Sequence, residues 1–254
     1  MSYRPVTAVA ALTLGLAAPA PAQDNYEIQV YPSELVAPRI TMVELHSNYT
    51  INGLPESQGA LHETVEITHG FTEWLEVGFY TLTSAGSVNG SGWEYVGNHL
   101  RPRVAIPERW HWPVGLSLSN EIGYQRGKFS ADTWSWEIRP IVDQRLGRWY
   151  WSLNPVFDVS LQGANAGKGA EFAPNAQMAV DLSPKVNIAL EYYASFGPVS
   201  GFPPLSQTYQ QLFPAVNLDL GPAWEFNAGL GFGLTPATDP LLVKVILGRR
   251  LGAP

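Results

Sequence analysis

Between Trp149 and Leu161 the chain reads WYWSLNPVFDVSL. Trp149, Trp151, Leu153, Pro155, Phe157, Val159 and Leu161 are all apolar, and the residues between them, Tyr150, Ser152, Asn154, Val156, Asp158 and Ser160, are mostly polar. A β-strand sends successive side chains to opposite faces, so this stretch predicts a strand with one oily and one wet face. Two folds use such a strand. A soluble sandwich turns the oily face inward, whereas a barrel in lipid turns it outward, toward the acyl chains. One strand does not choose between them.

The same period-2 pattern recurs along the chain. It predicts strands over 40–51, 60–69, 74–82, 93–104, 114–124, 133–142, 149–161, 169–182, 185–195, 208–220, 223–234 and 241–251. Twelve is an even number, as in single-chain bacterial barrels. The links after the second, fourth, sixth, eighth and tenth strands read as short. Most of the others read as longer and rich in Gly, Ser or Pro, for example SAGSVNGSG from Ser84. Short turns on one rim and long loops on the other are the outer-membrane arrangement. The predicted fold class is therefore an all-β, 12-stranded antiparallel transmembrane β-barrel of outer-membrane type.

Composition fits this fold. Charged residues are 15% of the 254, aromatics 12%, and there is no cysteine, so neither a disulfide nor a thiolate metal site is available. Trp74, Trp110, Trp112, Trp149, Trp151 and Trp224 flank predicted short turns, while Trp93, Trp134 and Trp136 fall near the other rim. Two belts of amphipathic rings at the membrane interfaces give this distribution, with aromatic core packing as the alternative. Residues 1–22 read as a secretory signal peptide, with Arg4, a short apolar run and a small-residue cleavage site at Ala20-Pro21-Ala22. Without Arg4 the chain keeps 14 basic against 22 acidic side chains, which argues against nucleic acid as a partner. The expected location is the outer membrane, and the expected partners are its lipid bilayer and a small solute. Residues 23–39 have no clean period and predict a periplasmic N-terminal arm, with a short plug as the alternative. Two features fit less well. Pro102, Pro140, Pro155, Pro174 and Pro214 fall inside predicted strands, and the last strand lacks a terminal aromatic.

In a barrel the wet faces line the lumen. They carry the acids Glu44, Glu66, Glu76, Glu121, Glu137, Asp158, Glu171, Asp181, Glu191, Asp219 and Glu225. Against these stand the bases Arg101, Arg103, Arg139, Lys244 and Arg250. Candidate lumen and selectivity residues are Glu44, His46, His62, Glu66, Glu76, His99, Arg101, Arg103, Glu121, Glu137, Arg139, Asp158, Glu191 and Glu225. The wet face predicted for the fourth strand is Tyr95, Gly97, His99, Arg101 and Arg103, with the three arginines of strands four and six interleaving with Glu121 and Glu137. Rings of charge set pore selectivity, so one reading is a narrow filter for cations or polar solutes; the other is a network that neutralises itself and closes the lumen. Glu44, His46, His62 and Glu66 share the inner face of the first hairpin, where carboxylate and imidazole suit a divalent metal or simply form a hydrated cluster. No cofactor motif appears, and no enzyme is expected: a barrel lipase needs His and Ser two apart on one face, and here His46 and Ser47 are adjacent.

The run Glu66-Ile67-Thr68-His69-Gly70-Phe71-Thr72-Glu73-Trp74-Leu75-Glu76-Val77-Gly78 resembles the strand-turn-strand signature of exported barrels grouped as meta-pathway phenol-degradation proteins and related transporters. The resemblance implies an outer-membrane location and uptake of small organic compounds; it carries over no binding residues. The leading reading is a narrow channel or transporter. A non-conducting structural or partner-docking barrel is the second, and a barrel lipase the third.

Overall fold

The computed structural model describes residues 26–86 and 92–252. The expected signal peptide and the middle of the SAGSVNGSG loop lie outside the described residues. No described helix is long and apolar enough to cross a membrane; strands cross by other means.

The fold is a closed 12-stranded antiparallel barrel. Its first six staves are β1 (Thr41–Asn52), β2 (Leu61–Thr72), β3 (Leu75–Ala85), β4 (Glu94–Ala105), β5 (Gly115–Gln125) and β6 (Asp132–Leu146). The seventh stave comes in two pieces, β7 (Trp149–Asn154) and β8 (Phe157–Gly163), and so does the eighth, β9 (Ala170–Phe172) and β10 (Asn175–Ser183). Then follow β11 (Val186–Ser195), with a two-residue extension β12 (Gly197–Pro198), β13 (Tyr209–Leu218), β14 (Trp224–Gly233) and β15 (Leu241–Leu251). Each stave pairs with its sequence neighbour, and β1 pairs with β15 from Thr41↔Leu251 to Asn52↔Leu241, which closes the ring and leaves no edge.

The strand breaks explain the prolines. The β6 registers Ile138↔Phe157 and Val142↔Leu153 set Pro140 opposite Pro155, and Asn154↔Asn175 sets Pro155 opposite Pro174. Three prolines thus form a row across three neighbouring staves, and the register is the same on both sides of it. Proline lacks an N–H, so the ladder skips a step there without slipping. Pro102 and Pro214 each stay paired on one side, to Val77 and Leu190, and fall in a gap of the other ladder.

The orientation is lipid-outward. Leu45, Ile67, Phe79, Leu100, Ile122, Leu190 and Phe232 are exposed on the outer face, while Glu44, His46, Glu66, Glu76, Arg101 and Lys244 are buried inside. Eight of the nine tryptophans are exposed on the outside. Rings at both rims match the two expected belts.

Four sequence expectations are corrected. The link after the fourth strand is not short: it runs over nine residues, 106–114, and holds a 3-10 turn. Gly70 to Thr72 belong to β2, leaving only Glu73 and Trp74 in the turn. Tyr95 faces out and Val96 in, because a bulge opposite Leu82/Thr83 inserts one residue and inverts the alternation above it. The fourth correction concerns the N-terminal segment. Residues 26–38 take the course of the plug alternative and run inside the barrel instead of staying on the short-turn side, from Tyr26 beside His62 to Pro38, which bridges Gly70 near the short-turn rim. Inside, its buried Ile28 and Val30 pack with Tyr193, Tyr209, Phe213 and Leu242 of the wall, and Tyr26 packs with Tyr80, Leu82 and Val96.

Candidate functional site: the strapped lumen

The arm has no neighbouring strand inside the lumen, so its backbone polar groups are satisfied by wall side chains. Thr64 Oγ1 donates to Tyr26 O (2.9 Å), Lys244 Nζ to Ile28 O (3.1 Å) and Arg139 to Gln29 O (3.3 Å). Tyr31 N donates to Asn154 Oδ1 (2.8 Å), and Tyr31 O accepts from Ser152 Oγ (2.7 Å) and Asn154 Nδ2 (3.1 Å). Ser33 donates twice to Asp143 (2.7 Å each), Val36 N donates to Glu76 Oε2 (2.6 Å), and Arg103 donates to Pro32 O and Glu34 O (2.8 Å each). Gly70 has to be glycine for the arm to pass: a Cβ there would lie 2.2 Å from Val36 O.

Tyr31 is the hub. The guanidinium carbons of Arg101, Arg103 and Arg139 lie 4.7, 5.4 and 4.7 Å from its ring centroid, and its hydroxyl meets that of Tyr80 at 3.1 Å. Each cation–π contact in such a desolvated place contributes on the order of 1–2 kcal/mol. The arginines are in turn held by carboxylates. Arg101 reaches Glu66 (2.6 Å) and Glu76 (3.3 Å), and Arg103 reaches Glu76 (2.8 Å). Strands β2, β3 and β4 thus carry a buried brace in which every acid faces an arginine. Across the lumen Lys244 pairs with Glu191, which also accepts from Tyr193 Oη (2.6 Å).

The other half of the lumen is built differently. Glu121 of β5 pairs in register with Glu137 of β6, Glu137 with Asp158 of β8, and Asp158 with Glu171 of β9. Directly opposed residues share a face with Cβ atoms about 5 Å apart, so four carboxylates form an arc across four adjacent strands. Their local partners are His99 on Glu121 (2.5 Å) and Arg139 on Glu137 (2.7 Å). The arc lines a cavity of about 170 Å³, bounded by Tyr26 and Glu27 of the arm and, at the long-loop rim, by Ser130, Asn165 and Lys168.

The sequence-predicted residues fall as follows. Glu44, His46, Glu66, Glu76, Arg101, Arg103, Glu121, Arg139 and Glu191 are buried on the lumen face. His62, His99, Glu137 and Asp158 are half-buried there, His62 with its ring 4.4 Å from that of Tyr26. Glu225 pairs with Arg250 at the exposed short-turn rim (2.9 Å), Asp181 pairs with Arg145, and Asp219 lies in a turn, so these acids do not line the pore. The expected interleaving holds for Arg139 with Glu137. It fails for Arg101 and Arg103, whose side chains reach the strands on the other side. Missed from sequence were Tyr31, Asp143 and Asn154. The alternation of Tyr26, Ile28 and Val30 with Glu27 and Gln29 was the available signal for a half-buried arm.

No family model and no curated protein matches the chain. Among solved structures, the chain is similar to the KdgM porin in complex with disordered oligogalacturonate, at TM-score 0.52 and 7% identity, covering 84% of this chain and 99% of that one. It is also similar to the KdgM porin alone, at TM-score 0.50, 7% identity and the same coverage. At this identity the likeness is one of fold: the chain has an outer-membrane porin-like β-barrel fold.

Proposed function

We propose that this protein sits in the outer membrane, exported by its leader, and passes small cationic or polar organic solutes through a lumen narrowed by its own N-terminal arm. The acidic arc is the observation that carries this reading. Four carboxylates in register repel one another, and Arg139 and His99 partner just two of them, whereas in the other half of the lumen Glu66 and Glu76 each have an arginine. An acid-lined cavity at one mouth concentrates cations and excludes anions. The arm below it limits conductance, and that filling favours the second reading, a non-conducting barrel.

Single-channel recording of the refolded full chain in planar bilayers tests the proposal. The expected result is small steps with a reversal potential biased to cations, and loss of that bias in the Glu137→Gln, Asp158→Asn, Glu171→Gln triple variant. Silence of both the wild-type chain and a Tyr31→Ala variant with a loosened arm removes the channel and leaves the structural barrel.

A further inference from the structure

We propose that Glu44, His46 and Glu66 bind one divalent transition-metal ion in the barrel wall, on the inner faces of β1 and β2. The site shares Glu66 with the brace around Tyr31 but lies outside the acidic arc, and does not depend on whether the pore conducts.

The ladder assembles it. Glu44 pairs in register with Glu66, and His46 lies two residues along β1 on the same face. One donor atom from each residue lies within 4.8 Å of the other two. His46 Nε2 and Glu66 Oε2 are 3.4 Å apart. That is about the edge of a tetrahedron built on metal–ligand bonds of about 2.1 Å.

The donors are buried and in want of a partner. His46 is 0% exposed, Glu66 1% and Glu44 7%. His46 Nδ1 and Glu44 Oε1 make no hydrogen bond, and Nε2 of His46 and Oε2 of Glu66 have only each other. Leaving such groups unpaired in a dry interior is destabilising. A bound ion removes that cost.

Charge points the same way. The nearest cation, Arg101, is shared between Glu66 and Glu76 on its own side of the cluster, and Glu44 has no ion-pair partner. A bound cation supplies the counter-charge that Glu44 lacks. Arg101 (2.6 Å) and Thr68 Oγ1 (2.5 Å) both donate to Glu66 Oε1, which fixes that carboxylate and leaves Oε2 aimed at His46. Ligating carboxylates are usually anchored by such outer hydrogen bonds. The imidazole favours zinc, cobalt or nickel over calcium or magnesium. His62, grouped with these residues by the sequence pattern, is turned to Tyr26 instead and leaves three protein donors.

The test uses the full chain, refolded in detergent and stripped with a chelator. Calorimetric titration with Zn²⁺ should show one ion per chain. His46→Gln and Glu44→Gln should each weaken binding by roughly 100-fold, since each removes a direct ligand. His111→Asn, at the exposed rim, should leave binding unchanged. Heat-modifiable gel mobility checks that each variant is folded. X-ray absorption of the Zn²⁺-loaded wild-type chain needs no variant, and should show one imidazole nitrogen among oxygen ligands at about 2.0–2.1 Å. Absence of Zn²⁺ uptake, undiminished affinity in His46→Gln, or a first shell with two or more imidazoles overturns the assignment.

Discussion

The two halves of the lumen solve the same electrostatic problem in opposite ways. On β2, β3 and β4, the buried Glu66 and Glu76 each meet an arginine, and the arginines close around Tyr31 of the arm. On β5, β6, β8 and β9, Glu121, Glu137, Asp158 and Glu171 stand in register; His99 meets Glu121 and Arg139 meets Glu137, while Asp158 and Glu171 have no ion pair among the described residues. Both halves come from the same alternation, and both put polar side chains inside. The difference lies in what is interposed. Where every acid has its arginine, the result is a rigid brace; where Asp158 and Glu171 have none, it is a charged, solvent-reached cavity. Sites that run against stability in this way are the usual places to look for function.

Substitutions that damage one half should therefore differ in sign from those in the other. The largest effect is expected for Arg101→Ala, which strands Glu66 and Glu76 in the interior and should cost about 3–5 kcal/mol in urea unfolding from lipid vesicles. Tyr31→Ala removes the shared ring but leaves the ion pairs intact. A loss of about 1–3 kcal/mol is expected, along with faster proteolysis of the arm. Asp158→Asn acts in the opposite direction. It relieves cross-strand repulsion, so stability should stay level or rise by up to about 1 kcal/mol while the cation bias of the reversal potential falls. If Asp158→Asn destabilises as Arg101→Ala does, the two halves are not different in kind. Smallest of all is Arg250→Ala. Its pair with Glu225 is exposed at the rim, so a change under about 0.5 kcal/mol is expected by the same unfolding assay.

The proline row sharpens the contrast. Pro140, Pro155 and Pro174 open gaps in the ladders between three neighbouring staves on the side of the barrel that carries the arc, whereas β1, β2 and β3 hold long continuous ladders. The pieces of the broken staves, β8 and β9, are those that bear Asp158 and Glu171. The acidic half is thus attached through the least regular part of the sheet, and the braced half through the most regular.

The twelve staves, their boundaries to within a few residues, and the outward face of each were legible in the chain, because a side chain's direction along a strand depends only on its parity, a local property. Tyr95 and Val96 mark the limit of that rule: a bulge is set by the neighbouring strand and shifts parity without a local signature. The lumen residues could be named one by one, but not their partners. Arg101 can reach acids on either side, and only the register and tilt of β2, β3 and β4 direct it to Glu66 and Glu76 rather than Glu121. The arm depended still more on the assembled barrel. Its hydrogen-bonding partners Asp143, Asn154 and Lys244 lie more than 100 residues away, and nothing near Tyr31 announces three arginines. Sequence alone decided which face of each strand is apolar, up to the bulge in β4. The closed ring decided which interior charges meet, and what runs between them.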